Sequence, residues 1–178
     1  MGLWTGNGGR LAINPNSYEP NATRNAPIHI DDVPIQDWAK ALTNFRHINV
    51  LADEPHTRCK PSAGPRQFVT PYGIEILDVP EEKRIYIIDV GGPHTFRTIY
   101  MDGRPHPSDL AEHTWDGFST GKVEGNKLTI TTTHMKYGVI QRNGVPASPY
   151  AVMTEHFIRH GDFLTLVTIV DEIGRAHV

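Results

Sequence analysis

The chain lacks the features that mark several common classes of protein. Its 178 residues include one cysteine, Cys59, so no internal disulfide can form. The formal net charge is only −3 and the basic residues are scattered, which leaves no positive patch for a nucleic acid or an anionic membrane. No apolar run approaches a membrane span, and the given chain shows no signal peptide. We therefore expect one domain with a core large enough to fold without disulfides.

The two ends of the chain are expected to lie outside this domain. Residues 1–31 are rich in Asn, Gly and Pro and show no sustained period, which predicts an irregular N-terminal wrap. Residues 172–178 read EIGRAHV, which a common sequencing adapter encodes when it is translated in frame. The domain is thus expected to span 32–171, followed by a non-native tail, although an ordinary polar tail is the alternative.

Helical spacing occurs once, directly after the wrap. Asp32 is a good N-cap and Pro34 suits the first turn of a helix over about 34–46. Apolar residues follow at intervals of three and four: Ile35, Trp38, Ala39, Leu42 and Phe45. This stripe is expected to pack into the core, as in most amphipathic helices.

The apolar period changes to two from residue 74 onward, which predicts β-strands. Seven segments show it: Ile74–Val79, Ile85–Val90, Phe96–Met101, Gly117–Val123, Lys127–Met135, Ala151–His160 and Phe163–Val170. An eighth strand is expected near the N-terminus. Sequential strands without helices between them predict a mainly β fold, an antiparallel up-and-down barrel or strongly curved sheet of lipocalin-like form. The helix would cover one opening or edge, and a two-sheet sandwich is the second choice.

Two strands carry polar residues that we expect to point inward. In Lys127–Met135, the threonine row 129, 131 and 133 looks solvated, so His134 should point inward and could act as an acid or base. A core histidine bonded to a backbone carbonyl or a neighbouring threonine is the other interpretation. In Ala151–His160 both faces mix apolar and polar residues, so alternation does not decide which face is inside. Because the partner Phe163–Val170 is apolar on both faces, we expect Glu155 and Arg159 inside, as a buried pair or aimed at a ligand, rather than as a surface pair.

The segment Tyr100–Pro107, reading YMDGRPHP, is the most distinctive loop. Asp102 and the glycine after it make a tight turn, and two prolines stiffen the rest of the segment, so Arg104 and His106 should be held at a barrel mouth. Trp115 is expected to line the same opening. The simpler interpretation is that Asp102 caps the turn and pairs with Arg104.

Ten histidines raise the question of a metal site. Two share a strand face and two could approach from neighbouring strands: His156 with His160, and His113 with His134. The sequence has no HxH, no HExxH and no Cys/His pairing, so we expect no metal and no other cofactor, with these four histidines as the minority alternative.

Six stretches, in one order, resemble a family of uncharacterised bacterial proteins that are typically exported. They are Asp37–Ala39, Arg58–Arg66, Pro71–Gly73, Tyr100–Pro107, Val123–Ile130 and Thr154–Phe157. In the family's hairpin motif, Val123 replaces a tryptophan and Asn126 an aspartate. The resemblance covers the chain from the helix to Asp171. It implies a β-rich fold and a periplasmic or extracellular location, and it implies no activity.

The sequence leaves three classes of function open. The first is a β-barrel that binds an apolar or amphipathic small molecule. Its expected ligand contacts are Tyr100, Arg104, His106, Trp115 and Arg159. The alternative is a cofactor-independent isomerase, lyase or hydrolase in which His134, Glu155 and Asp102 supply acid and base. A structural accessory domain, which would have no enclosed cavity, is the third, and the oligomeric state is left open.

Overall fold

The computed structural model describes residues 2–4, 36–48, 55–61, 64–68, 74–89, 96–139 and 145–172. Eight strands form one curled sheet, a half-barrel, in the order β1-β2-β3-β4-β5-β6-β9-β10. The strands are β1 Gly2–Trp4, β2 Ile74–Val79, β3 Arg84–Asp89, β4 Phe96–Tyr100, β5 Phe118–Glu124, β6 Lys127–Thr133, β9 Ala151–His160 and β10 Phe163–Glu172. The short β7 Gly138–Val139 and β8 Pro146–Ala147 pair with each other.

The predicted mainly β fold with a strongly curved sheet is confirmed, including the eighth strand near the N-terminus. The up-and-down order is wrong at one place, because β4 and β5 run parallel, with Ile99 opposite Ser119. Residues 101–117, which we call the crossover segment, connect these two strands. Two prolines and a glycine at φ 74° keep the first part of this segment out of the sheet, so the chain returns in the same direction.

The hydrophobic core lies on the concave face of the curled sheet. Its larger cluster consists of Ile74, Ile85, Ile87, Ile99, Ile130 and Phe157, and a smaller one of Met135, Ala151 and Met153. Alternate residues of each strand contribute to it, as the period of two predicts. Complete burial of each large side chain contributes about 1.5–3 kcal/mol. A 3-10 helix, Gly64–Phe68, lies over the larger cluster, since the Phe68 ring packs edge-on against Phe157 at 5.4 Å.

The concave face of β5 is nearly free of side chains, which allows the sheet to curl tightly there. Its inward positions hold the buried Ser119 and Gly121. A Cβ atom at Gly121 would lie 2.5 Å from the Met101 sulfur and 2.8 Å from Ile99 Cγ2. Side chains from β4 and from the first residue of the crossover segment therefore extend across β5, which larger residues on β5 would prevent.

Among the described residues there is one α-helix, α1, which spans Asp37–Ile48. The start predicted at 32–35 lies outside those residues. The predicted core stripe is wrong where the structure describes it: Trp38 and Phe45 are exposed, and of its four described members only Ala39 is fully buried. The helix instead buries Ala39, Thr43 and Arg46. Arg46 Nη2 donates to the Tyr137 hydroxyl at 3.0 Å, and this polar contact on the buried face turns the apolar stripe outward. Within the described residues, no helix is long and apolar enough to cross a membrane.

The described residues include only part of the predicted N-terminal wrap and the first residue of the predicted C-terminal tail. Gly2–Trp4 is a strand within the predicted wrap, and residues 5–31 lie outside the described residues. Strand β10 continues to Glu172, the first residue of the predicted tail, and 173–178 also lie outside. The two-residue connection Gly161-Asp162 between β9 and β10 forms as predicted.

Gly117 and Gly125 provide a matched pair of substitutions that tests the close contact at the start of β5. Both have φ above 60°, but a Cβ atom at Gly117 would lie 2.6 Å from the Thr133 carbonyl oxygen, whereas Gly125 has nothing within 4 Å. We expect Gly125→Ala to lower the free energy of unfolding by about 1–2 kcal/mol, through backbone strain alone. Gly117→Ala should cost about 1–3 kcal/mol more, because the chain must also move. Urea unfolding measures both, and equal losses would contradict this account of the contact.

Candidate functional site

His106 attaches the crossover segment to the outer face of the sheet. Its ring nitrogens bond two threonines on neighbouring strands: Nδ1 lies 2.8 Å from Thr133 Oγ1, and Nε2 lies 2.9 Å from Thr120 Oγ1. The ring also packs edge-on against Phe118 at 5.4 Å. Burial, with a smaller contribution from His134, lowers the pKa of His106 below its ordinary value. Both ring nitrogens are thus occupied, which indicates an anchor rather than a ligand contact.

His134 is buried, as predicted, but its partners match the second interpretation of the sequence. Its φ of 57° ends the alternation of β6. Nδ1 lies 2.7 Å from Thr133 Oγ1, and Nε2 lies 2.9 Å from the Ser108 carbonyl oxygen. A neighbouring threonine and a backbone carbonyl therefore hold the ring. It contacts the crossover segment, and among the described residues no hydrogen bond joins it to Glu155.

These contacts form a hydrogen-bonded chain with one consistent direction when both imidazoles are neutral. The Ser108 carbonyl can only accept, so His134 Nε2 carries the proton and Nδ1 accepts from the Thr133 hydroxyl. Thr133 Oγ1 then accepts from His106 Nδ1–H, which leaves His106 Nε2 to accept from Thr120. Every donor in the chain is used, so the rings lock the crossover segment onto β5 and β6 in the neutral state.

The predicted contacts Tyr100, Asp102 and Arg104 form a stack on the surface. The Arg104 guanidinium lies 3.9 Å from the centre of the Tyr100 ring, which stacks on Phe118 at 5.1 Å. Arg104 Nη2 also donates to Asp102 Oδ2 at 2.6 Å, and this pairing lowers the pKa of Asp102 to about 2. Asp102 therefore stays ionised at neutral pH. Its geometry matches the simpler interpretation, a turn cap paired with arginine.

Glu155 is buried as predicted, but its partner is Arg97. Arg97 Nη2 donates to Glu155 Oε2 at 2.7 Å, and the two side chains are 1% and 0% exposed. The predicted location of Arg159 was wrong, because β9 emerges from the core at that point: Arg159 is exposed, and its Nε donates to the Gly161 carbonyl. Sequence analysis missed Arg97, although alternation in β4 places it on the same face as Ile99.

The buried ion pair belongs to a larger group of acidic residues. Burial raises the pKa of Glu155, and the positive charge of Arg97 limits the rise. Burial also raises the pKa of the half-buried Asp116 to about 6; Arg97 opposes this shift and Asp89 adds to it. Among the described residues, Arg97 Nε and Nη1 and Glu155 Oε1 have no hydrogen-bond partner. The pKa of Asp116 thus lies closer to neutral pH than that of an ordinary aspartate.

A groove opens at one rim of the half-barrel, and we call it the rim groove. It is shallow and open to solvent, with an enclosed volume of about 20 Å³. Between the segment Pro55–Pro61 and the Gly64–Phe68 helix, its lining includes Arg66, Trp115, Met135, Lys136, Val139 and Ala147. Lys136 Nζ lies 5.9 Å from the centre of the Trp115 ring. Of the predicted ligand contacts, Trp115 is the one that lines this groove.

The four histidines of the metal alternative do not converge. His113 Nδ1 donates to the Met135 carbonyl at 3.0 Å, and its ring lies 5.1 Å from that of His134. His156 Nδ1 bonds Thr129 Oγ1 at 3.0 Å on the outer face, and His160 is exposed at the end of β9. Within the described ranges, no three His, Cys, Asp or Glu side chains are arranged to hold a metal ion.

Replacing His106 tests the hydrogen-bonded chain. Because folding lowers the pKa of His106, its contribution is present above the ordinary pKa and lost as the pH falls through the folded value. We expect urea unfolding to show that the protein loses stability as the pH falls from about 8 to about 5. This loss should be smaller in His106→Gln, because the variant lacks the group whose pKa folding lowers. At about pH 8 this variant should cost about 1–2 kcal/mol, through two lost hydrogen bonds.

His160→Gln is the matched control, because His160 is exposed. It should leave the pH dependence unchanged. Nitrogen-15 NMR at about pH 8 should also find the proton of His106 on Nδ1 and that of His134 on Nε2. The opposite tautomers, or a pH dependence of stability that His106→Gln leaves unchanged, would contradict the hydrogen-bonded chain of His106, Thr133 and His134.

These contacts define three polar systems: the histidine chain, the buried ion pair with Asp116, and the rim groove. Comparisons with models of protein families, with curated proteins and with solved structures found no match to this chain. The resemblance of the six stretches stays a prediction, and a function must be inferred from the contacts of the chain's own residues.

Proposed function

We propose that the protein binds a small amphipathic organic anion in the rim groove. The observation that supports this most is the joint lining by an aromatic ring, Trp115, and two cationic side chains, Arg66 and Lys136. The enclosed volume is only about 20 Å³, room for about one water molecule, so the ligand would lie along an open groove and not inside a cavity. The proposal keeps the ligand class expected from the sequence and moves its site from the barrel interior to the rim.

The lining favours a ligand with an apolar body and a carboxylate or similar acid group. Met135, Val139 and Ala147 are buried apolar residues, and the Trp115 ring offers a flat surface for an aromatic or aliphatic body. Lys136 is exposed and close to that ring, so its ammonium group can meet an anionic group at the groove entrance. The concave interior is a poorer candidate, because isoleucines and the Arg97–Glu155 pair fill it.

An acid–base enzyme is the second candidate, and Asp116 favours it. Asp116 does not itself line the rim groove; it follows the lining residue Trp115 in the chain, and burial raises its pKa to about 6. A general acid or base functions best with a pKa near the working pH, which suits Asp116 better than Asp102. The two candidates differ in one respect: Asp116→Asn should abolish turnover of a compound in the groove while leaving its binding largely intact.

Two related dyes test the proposed site. Anilinonaphthalene sulfonate carries an aromatic body and a negative charge, and N-phenylnaphthylamine has a similar body without the charge. We expect Trp115→Ala to weaken binding of both dyes by about 10-fold or more, since it removes the aromatic surface. Lys136→Ala should weaken binding of the sulfonate by about 5–10-fold and leave the neutral dye unaffected. Fluorescence titration measures all four affinities.

Two control variants make the result specific to the groove. Lys122→Ala removes an exposed lysine that pairs with Glu124 on the β5–β6 hairpin, and Trp38→Ala removes an exposed tryptophan on α1. Neither should change either affinity. Binding that survives both Trp115→Ala and Lys136→Ala, or that Trp38→Ala abolishes, would place the dyes elsewhere and contradict the proposed site.

A further inference from the structure

We propose that β10 is a dimerisation edge, at which two copies of the chain pair antiparallel and extend the curled sheet. The last strand in the sheet order is β10, ten residues long, and it pairs with β9 from Phe163 to Glu172 without a break in register. Its other side has no neighbouring strand among the described residues. This inference is independent of the rim groove.

The turn before β10 shows which backbone groups point outward. Gly161 has φ 60° and Asp162 is not in the left-handed region, which matches a type II′ two-residue hairpin. In such a hairpin, His160 and Phe163 form a hydrogen-bonded pair, so the odd-numbered residues of β10 bond to β9. The N–H and C=O groups of residues 164, 166, 168 and 170 therefore point away from the sheet, and no described residue bonds them.

Among the described residues, the edge lacks the commonest devices that prevent sheets from joining. Proline, lysine and bulges usually protect a long edge strand, and β10 contains none of them. Its outer face is apolar and accessible, since Phe163 is 78%, Val167 43% and Ile169 51% exposed. An edge that is long, regular and apolar is a template for another strand.

The sequence of β10 favours a second copy of itself as that strand. A two-fold axis at Leu166 would place Phe163 opposite Ile169 and Thr165 opposite Val167, each pair twice. The outward backbone groups of residues 164, 166 and 168 would then meet those of 168, 166 and 164. This register joins large apolar side chains on the outer face, where cross-strand pairs stabilise a sheet.

Charge at the ends of the strand supports the same register. Asp171 would lie opposite Gly161 of the second copy. Within each copy, the exposed Arg159 donates from Nε to the Gly161 carbonyl of its own chain at 3.0 Å, so its guanidinium lies beside that position. Each Arg159 would thus meet the Asp171 carboxylate of the other copy, which gives two ion pairs for each dimer. An interface built on one pair of strands is small, so we expect a dissociation constant on the order of 10 µM.

Sedimentation equilibrium of the full chain, from about 1 µM to about 500 µM, tests the association. We expect a monomer–dimer equilibrium, and the double variant Val167→Lys/Ile169→Lys should weaken it by about 100-fold or more, because four lysines would meet at the interface. Val123→Lys is the matched control, since Val123 is also an exposed strand valine but lies on β5. Monomers at every concentration would leave the edge to a strand of another protein and overturn the proposal. A dimer unaffected by the double variant would place the interface elsewhere and overturn it equally.

Cysteine cross-linking tests the register in chains where Cys59→Ser removes the native thiol. Thr165 and Val167 of the two copies form a non-hydrogen-bonded pair in this register, with Cα atoms about 4.5 Å apart, as a disulfide requires. A mixture of Thr165→Cys and Val167→Cys chains should therefore form a disulfide-linked dimer on mild oxidation, and neither variant should do so alone. Efficient cross-linking of Val167→Cys alone would place the two-fold axis at Val167 and overturn the register.

Discussion

The ion pair between Arg97 and Glu155 joins strands that are not neighbours, and the shape of the sheet depends on it. Two strands, β5 and β6, lie between β4 and β9, so in a flat sheet the two backbones would be about 14 Å apart. The two side chains nevertheless meet at 2.7 Å within the core. A buried charge without its partner is strongly unfavourable. Flattening the sheet would separate the two charges from each other. The pair therefore stabilises the curl of the sheet over the small residues of β5.

The same pair connects the curl to the rim groove. The Arg97 guanidinium lies 5.6 Å from the centre of the Phe68 ring, and Phe68 ends the 3-10 helix that supplies Arg66 to the groove. Asp116 follows Trp115, another lining residue, and the positive charge of Arg97 opposes the rise in the pKa of Asp116. The interior charges are thus too tightly enclosed to receive a ligand themselves. They fix the position of the elements that line the rim groove.

The sequence predicted the strands well, because alternation records which side of a sheet faces water. Alternation did not decide which face of β9 is inside. The prediction that Glu155 is buried rested on the apolar partner strand β10, and it failed for Arg159, where β9 leaves the core. The partner of Glu155 could not be found in this way, since the pairing with Arg97 depends on the order of strands in the sheet, which local patterns do not encode. His134 illustrates a second limit: its left-handed backbone ends the alternation on which its inward direction was predicted. The rim groove joins segments distant in sequence, and Trp115 was its one predicted member.

The most direct measurement is a double-mutant cycle between Arg97 and Glu155, in which urea unfolding gives the free energy of each variant. If the pair stabilises the curl, Arg97→Met and Glu155→Leu should each cost about 3–5 kcal/mol, because each leaves a buried charge without its partner. The double variant should then be more stable than the sum of the two losses implies, by about 2 kcal/mol or more. Losses that simply add would show that the two side chains act independently, and would contradict the dependence of the fold on this pair.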